Sequence, residues 1–206
     1  MLHSNLPKAK RLERNNTPRD YLSYSQMILW ERSPELYKKH YLYGEELLET
    51  EAMKLGKEVA EMLELDKESE NLAFEAVRQQ IPHYYYREKE MKIGLKLRGH
   101  KIMLLGKFDC YSKSKIGEVK TGKLWTQKRV DELDQITFYA LIFYLRYKKF
   151  PALWFHWIET KDGELTGKVE HFKTERNLPQ LMRMMDRIAV AWIGINKLVK
   201  EELQKI

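Results

Sequence analysis

The chain has 206 residues, 43% of them hydrophobic and 33% charged, which is long enough for one domain with a full hydrophobic core and short for two. No uninterrupted apolar run reaches the roughly 18 to 20 residues of a membrane span. The only cysteine, Cys110, excludes an internal disulfide and any all-cysteine zinc or iron–sulfur site, so a reducing, cytoplasmic setting fits. A formal charge of +7 and a pI near 9.2 favour polyanionic partners, because clustered Lys and Arg release counterions from a phosphate backbone.

Residues 1–20 form a basic arm carrying Lys8, Lys10, Arg11, Arg14 and Arg19. It lacks the apolar stretch of a secretory signal; an organelle transit peptide stays open as an alternative, weakly supported because Glu13 and Asp20 interrupt the arm. Residues 21–206 read as a single domain. Residues 22–44 are expected to be helical, with Ser23 or Ser25 as N-cap and Pro34 opening a second helical piece after Ser33. A helix over 50–65 follows, with Ala52, Leu55, Gly56, Val59, Met62 and Leu63 on one face at the 3.6 period. A third covers 68–80 and stops before Pro82.

The pattern then changes to strands over 85–97, 101–111 and 116–121, punctuated by Gly94, Gly99, Gly106 and Gly117. A long helix is expected over 126–147 and an aromatic strand over 152–160. A turn at Asp162 and Gly163, a strand to 172 and a last helix from Leu178 complete the chain. This order of helices, antiparallel strands, helix, strand and helix describes one α/β domain.

Chemistry concentrates between Leu104 and Gly122. A turn centred on Lys113 and Ser114 pairs Ser112 with Lys115 and Tyr111 with Ile116, which puts Asp109 opposite Glu118. Alternation along the strand gives Lys120 the same face as Glu118. Facing carboxylates repel unless something positive lies between them. Magnesium accepts one or two carboxylates plus waters and substrate phosphate, and the Val119 backbone carbonyl can add an oxygen. Such a metal polarises a phosphate and acidifies a bound water, while a lysine orients that water or neutralises charge. The implied reaction is phosphodiester hydrolysis, although Glu-x-Lys alone is common on surface hairpins.

Elsewhere the signals are weaker. His83, His100, His156 and His171 show no ligand spacing. No Gly-rich loop ends in Lys-Ser/Thr, which argues against a nucleotide cofactor. Basic and aromatic residues interleave at Trp125, Lys128 and Arg129 and again from Tyr144 to Lys149. That composition is able to grip phosphates and stack unpaired bases, and is equally accounted for by helix-end charges and core aromatics.

The segment around Asp109, Glu118 and Lys120 resembles the PD-(D/E)XK nucleases, whose motif is an Asp ending one strand and an acid-x-Lys on the next. Gly106 three residues before the Asp, and Thr121-Gly122 after the Lys, match the RecB-like branch. Gln135 and Tyr139 match its Gln-x-x-x-Tyr on the following helix, though core packing accounts for Tyr139 equally. Leu22-Ser23-Tyr24-Ser25 and Ser33-Pro34-Glu35-Leu36-Tyr37 look like its opening signature, with Ser33 where a Cys usually precedes the Pro. The iron–sulfur versions are therefore not expected.

The resemblance implies a restriction-endonuclease-like α/β core, a central mixed sheet flanked by helices. It further implies Mg²⁺ or Mn²⁺ held by Asp109 and Glu118, Lys120 as the catalytic lysine, and Gln135, Tyr139 and Ser25 as substrate contacts. Relatives include phage and organellar exonucleases that degrade DNA from free ends, often single strands. The expected function is thus a metal-dependent DNA exonuclease in replication, recombination or repair, with a recombination or replication protein as a partner. An endonuclease on the same core is the alternative, as is a binding module that has lost catalysis. The latter is motivated by Ala60, since relatives often carry a metal-binding His four residues after the Gly that Gly56 matches. Glu61, and less readily Glu58, stand nearby as substitute ligands, although Glu61 falls almost opposite the apolar face; otherwise water completes the shell.

Overall fold

A computed structural model describes residues 19–46, 48–66, 68–82, 86–122 and 124–205. The basic arm up to residue 18 and His83 lie outside them. The chain divides into two compact units, one of residues 1–48, 92–105 and 182–206, the other of 49–91 and 106–181.

In the first unit a two-residue strand β1 (Leu22–Ser23) pairs in parallel with β3 (His100–Tyr111) through Leu104 and Leu105. Helix α1 (Tyr24–Arg32) starts directly afterwards, capped by the Ser23 hydroxyl, which accepts the Gln26 amide. Where one helical stretch with a fresh start was expected over 22–44, the chain makes a strand, two helices and a π-helical segment. Ser33 is extended (φ −166°) because the residue before a proline avoids the helical region. Its hydroxyl accepts the Leu36 amide and so caps α2 (Pro34–Tyr37), which runs on into the π-helical Lys38–Tyr43 and ends at Gly44 with φ +70°. Strand β2 (Tyr86–Leu97) pairs with β3 across a turn at Arg98 and Gly99, both at positive φ.

The second unit carries the candidate site. Strand β4 (Lys115–Gly122) lies antiparallel to β3 and parallel to β5 (Ala152–Lys161), which returns as β6 (Glu164–Thr174). The β5–β6 turn falls at Asp162 and Gly163, as expected, with φ of 52° and 89°, the positive-φ geometry that Asp-Gly supplies at a tight hairpin. The six strands form a mixed sheet, in the order β1-β3-β4-β5-β6 with β2 on β3. With its helices this is the α/β architecture expected.

Helices α3 (Glu51–Leu65) and α4 (Leu72–Gln80) close one apolar core, where Val59, Met62, Leu63, Val77 and Ile81 meet Cys110, Ile158 and Val169. The expected helix over 126–147 is broken into α5 (Gln127–Asp131) and α6 (Asp134–Tyr147). Buried Arg176 accounts for the break. Its guanidinium donates to the Val130 and Leu133 carbonyls (both 3.1 Å), which a continuous helix would use internally, and to the Thr137 and Thr174 hydroxyls (2.8 and 2.6 Å). Helix α6 is buried at every position from Ile136 to Phe143, as a helix apolar on all sides must be. The last helix, α7, spans Leu178–Leu203.

Candidate active site

The β3–β4 hairpin places the acidic cluster. Its turn is held by the Ser112 amide donating to the Lys115 carbonyl (2.9 Å) and the Lys115 amide to Ser112 Oγ (3.1 Å). Tyr111 pairs with Ile116 and Cys110 with Gly117, the register expected from the turn. The paired ladder goes no further. Phe108 and Tyr111 stack with centroids 5.8 Å apart and planes at 21°, although residues three apart on a regular strand point to opposite faces. The strand is therefore irregular between them, and Asp109 Oδ2 accepts the Val119 amide at 2.8 Å. Asp109 is fixed by a backbone donor of β4, and its expected direct pairing with Glu118 is not part of the ladder.

Glu118 sits beside Phe155 of β5, with 0% of its surface exposed. Its carboxylate meets the Lys120 ammonium, on the same face two residues on, and the neighbouring Asp109 carboxyl. Burial first, and the neighbouring Asp109 charge second, push its carboxyl up from 4.5 to about 8, against the pull of Lys120. A buried acid beside a second acid is costly when both are ionised. Lys120 reaches the boundary with solvent, its side chain 37% exposed.

Helix α3 lies very close to β4. A Cβ on Gly56 would stand 3.3 Å from Thr121 Oγ1. Beside this contact is a cavity of about 390 Å³, lined in part by Gly56, Ala60 and Glu64 of α3 and by Asp109, Lys120 and Thr121 of the strands. Ala60, where the resemblance would place a histidine, faces it. Glu61 and Glu58 are not among its lining residues, whereas Glu64, one turn beyond Ala60, is. Glu64 was missed in the sequence, where its spacing of eight from Gly56 marked the same helix face.

Gln135 Nε2 donates to the Tyr139 hydroxyl, one turn on, at 3.1 Å. Tyr139 is buried and meets Phe108, next to Asp109, edge to face at 5.0 Å. Ser25 belongs to the first unit, on α1, and shares a hydrogen bond with Ser23 Oγ. Trp125 leans on buried Phe155 at 4.5 Å and carries the Arg129 guanidinium on its ring at 3.8 Å. His156 and His171, without ligand spacing in the sequence, are cross-strand partners with Nδ1 atoms 2.8 Å apart.

Among the described residues no three of His, Cys, Asp and Glu stand together closely enough to hold a metal. The donor set that is present, two neighbouring carboxylates with one fully buried, fits a hard divalent cation that completes its shell with water and phosphate oxygens. It does not fit a cage of protein ligands alone.

No protein-family model matches the sequence, and neither does any curated protein. Among solved structures, LHK-Exo in complex with dAMP aligns over 96% of this chain and 95% of its own, at 11% identity and a TM-score of 0.49. A protein from Eubacterium rectale, described only provisionally as an exonuclease, aligns over 92% of this chain and 84% of its own, at 13% identity and a TM-score of 0.56. The fold, a mixed sheet flanked by helices, is thus similar to that of the Eubacterium rectale protein.

Proposed function

We propose that this chain is a metal-dependent DNA nuclease, acting as an exonuclease. The observation that carries the reading is Glu118, a fully buried carboxylate whose partners are the Lys120 ammonium and the neighbouring Asp109 carboxyl. Burying one acid beside another is destabilising when both are ionised, and a divalent cation between them removes that cost. Asp109 and Glu118 would hold Mg²⁺ or Mn²⁺, with the Val119 carbonyl as a further oxygen and water where Ala60 offers nothing. Such an ion, when bound, polarises the scissile phosphate and acidifies a water. Lys120, at the solvent boundary, balances negative charge on the phosphate or orients the attacking water. The hydrogen bond from the Val119 amide holds the Asp109 carboxylate in place.

The test is degradation of end-labelled linear single- and double-stranded DNA beside a closed circle, with Mg²⁺, Mn²⁺ or EDTA, by the parent and by Asp109→Ala. Metal-dependent loss of linear DNA alone, absent in the variant, is the expected result. Cutting of the circle would make the enzyme an endonuclease. The absence of a third ligand among the described residues and Ala60 in the cavity favour a second reading, a nucleic-acid-binding module without catalysis. DNA binding insensitive to EDTA, with no cleavage under any metal, would establish it.

A further inference from the structure

The cavity beside Asp109 and Lys120 is built for more than a phosphate. Phosphodiester hydrolysis needs charge and oxygen ligands, which Asp109, Lys120 and the Thr121 hydroxyl supply at the strand side. The rest of the lining is largely apolar, formed by Ala52, Met53, Val59, Ala60, Leu63 and Val119. The cavity is half open, with Ala52, Met53 and Ala60 exposed. Its volume of about 390 Å³ falls in the range of about 300 to 1,000 Å³ of sites for small organic molecules, which pair apolar walls with a few polar groups. The room exists because α3 presents Ala52, Gly56 and Ala60 at four-residue steps, along one face of the helix. Met53, 48% exposed, adds a polarisable thioether suited to the face of a planar ring.

From this we propose that the cavity seats the base and deoxyribose of the nucleotide that adjoins the cleaved phosphate, one nucleoside unit with its phosphate at Lys120. The proposal rests on the nuclease reading and assigns it a substrate subsite. On this account Ala60 takes the place of a larger side chain because that volume is given to the substrate. The hydrogen-bonding groups of the lining are Lys57, Glu64, Asp109, Lys120 and Thr121, with no amide side chain or arginine among them. The seat holds the base chiefly by contact with its apolar wall, with Lys57 and Glu64 as the side chains of the lining that can reach a base edge.

The test is calorimetric titration in Mg²⁺ with deoxythymidine and deoxyadenosine 5′-monophosphates and with inorganic phosphate, on the parent, Ala60→Leu and Met53→Ala. Residues 53 and 60 are both exposed, and melting temperatures near the parent's will show that the variants fold. Both nucleotides should bind the parent about tenfold or more tightly than phosphate does. Ala60→Leu should erase that margin while leaving phosphate affinity as it was, and Met53→Ala should narrow it. A parent without the margin, or a margin untouched in Ala60→Leu, would overturn the seat. Cleavage of linear DNA is assayed on the same preparations to keep the two readings apart. A parent that cleaves but shows no margin loses only the seat, and a parent that never cleaves but shows a margin sensitive to Ala60→Leu loses only the nuclease assignment.

Discussion

At the residue scale the site turns on the protonation of Glu118. Its folded-state carboxyl titrates near 8, far above the ordinary 4.5. Between those values the folded protein keeps a proton that the unfolded chain has released, so stability without metal is full below about pH 4.5 and falls as pH rises towards 8. Glu118→Gln removes the titrating group. Its melting temperature, compared with the parent's in EDTA from pH 5 to 8.5, should draw level with and then exceed it as pH rises. The difference should reach the order of several kcal/mol. Mg²⁺ should raise the parent's melting temperature at pH 8 and leave that of Glu118→Gln where it was. Parallel pH profiles for the two proteins would remove Glu118 from the site. Lys120 gives the complementary prediction. Lys120→Ala should reduce cleavage about 100-fold or more while DNA affinity in EDTA changes less than about threefold, because a group acting on transition-state charge adds little to ground-state binding. Equal rates for parent and variant would exclude it. These residues were legible because a short turn and the two-residue alternation fix neighbours. The departure from the ladder at Asp109 was not, since the Phe108–Tyr111 stacking and the bond to the Val119 amide that accompany it are contacts of the folded sheet.

At the scale of elements, sequence periodicity located helices and strands and failed where a distant side chain decides. Helix α3, with its apolar face, was readable to within a residue, Thr50 proving to be its cap. The break between α5 and α6 was not, because its cause lies more than forty residues on, in Arg176. That guanidinium is 6% exposed, and burial lowers its pKa from the ordinary value while five acceptors hold it. Arg176→Ala removes the guanidinium from the Val130 and Leu133 carbonyls, which keep the Leu133 amide and the Thr137 hydroxyl as donors, and from the Thr137 and Thr174 hydroxyls. It should destabilise the protein by about 3 kcal/mol, read as a lower urea midpoint at unchanged slope. A loss under about 1 kcal/mol would mean that water replaces the guanidinium and that the break has another origin. The His156 and His171 pair shows the same limit, since residues fifteen apart meet only through the β5–β6 register. Strand β1, two residues long, is too short for any period to register.

At the scale of the whole molecule, a fold shared at 13% identity carries little chemistry, because sites change faster than the architecture holding them. Net charge is a separate, sequence-level property, and here it makes its own prediction. Residues 1–18 hold Lys8, Lys10, Arg11 and Arg14 against Glu13, a large part of the +7 surplus. If DNA is the substrate, the arm contributes phosphate contacts that carry no catalytic role, and each such contact adds about 0.7 to 0.9 to the slope of log affinity against log salt. Deleting residues 1–18 should weaken DNA binding at 50 mM salt and lower that slope by up to about 3. Single-turnover cleavage of DNA already bound should stay within about twofold of the parent, since the reacting groups are untouched. An unchanged slope would place the phosphate contacts on the folded units. A collapse of the single-turnover rate would mean that the arm positions the strand at Lys120 and belongs to the site.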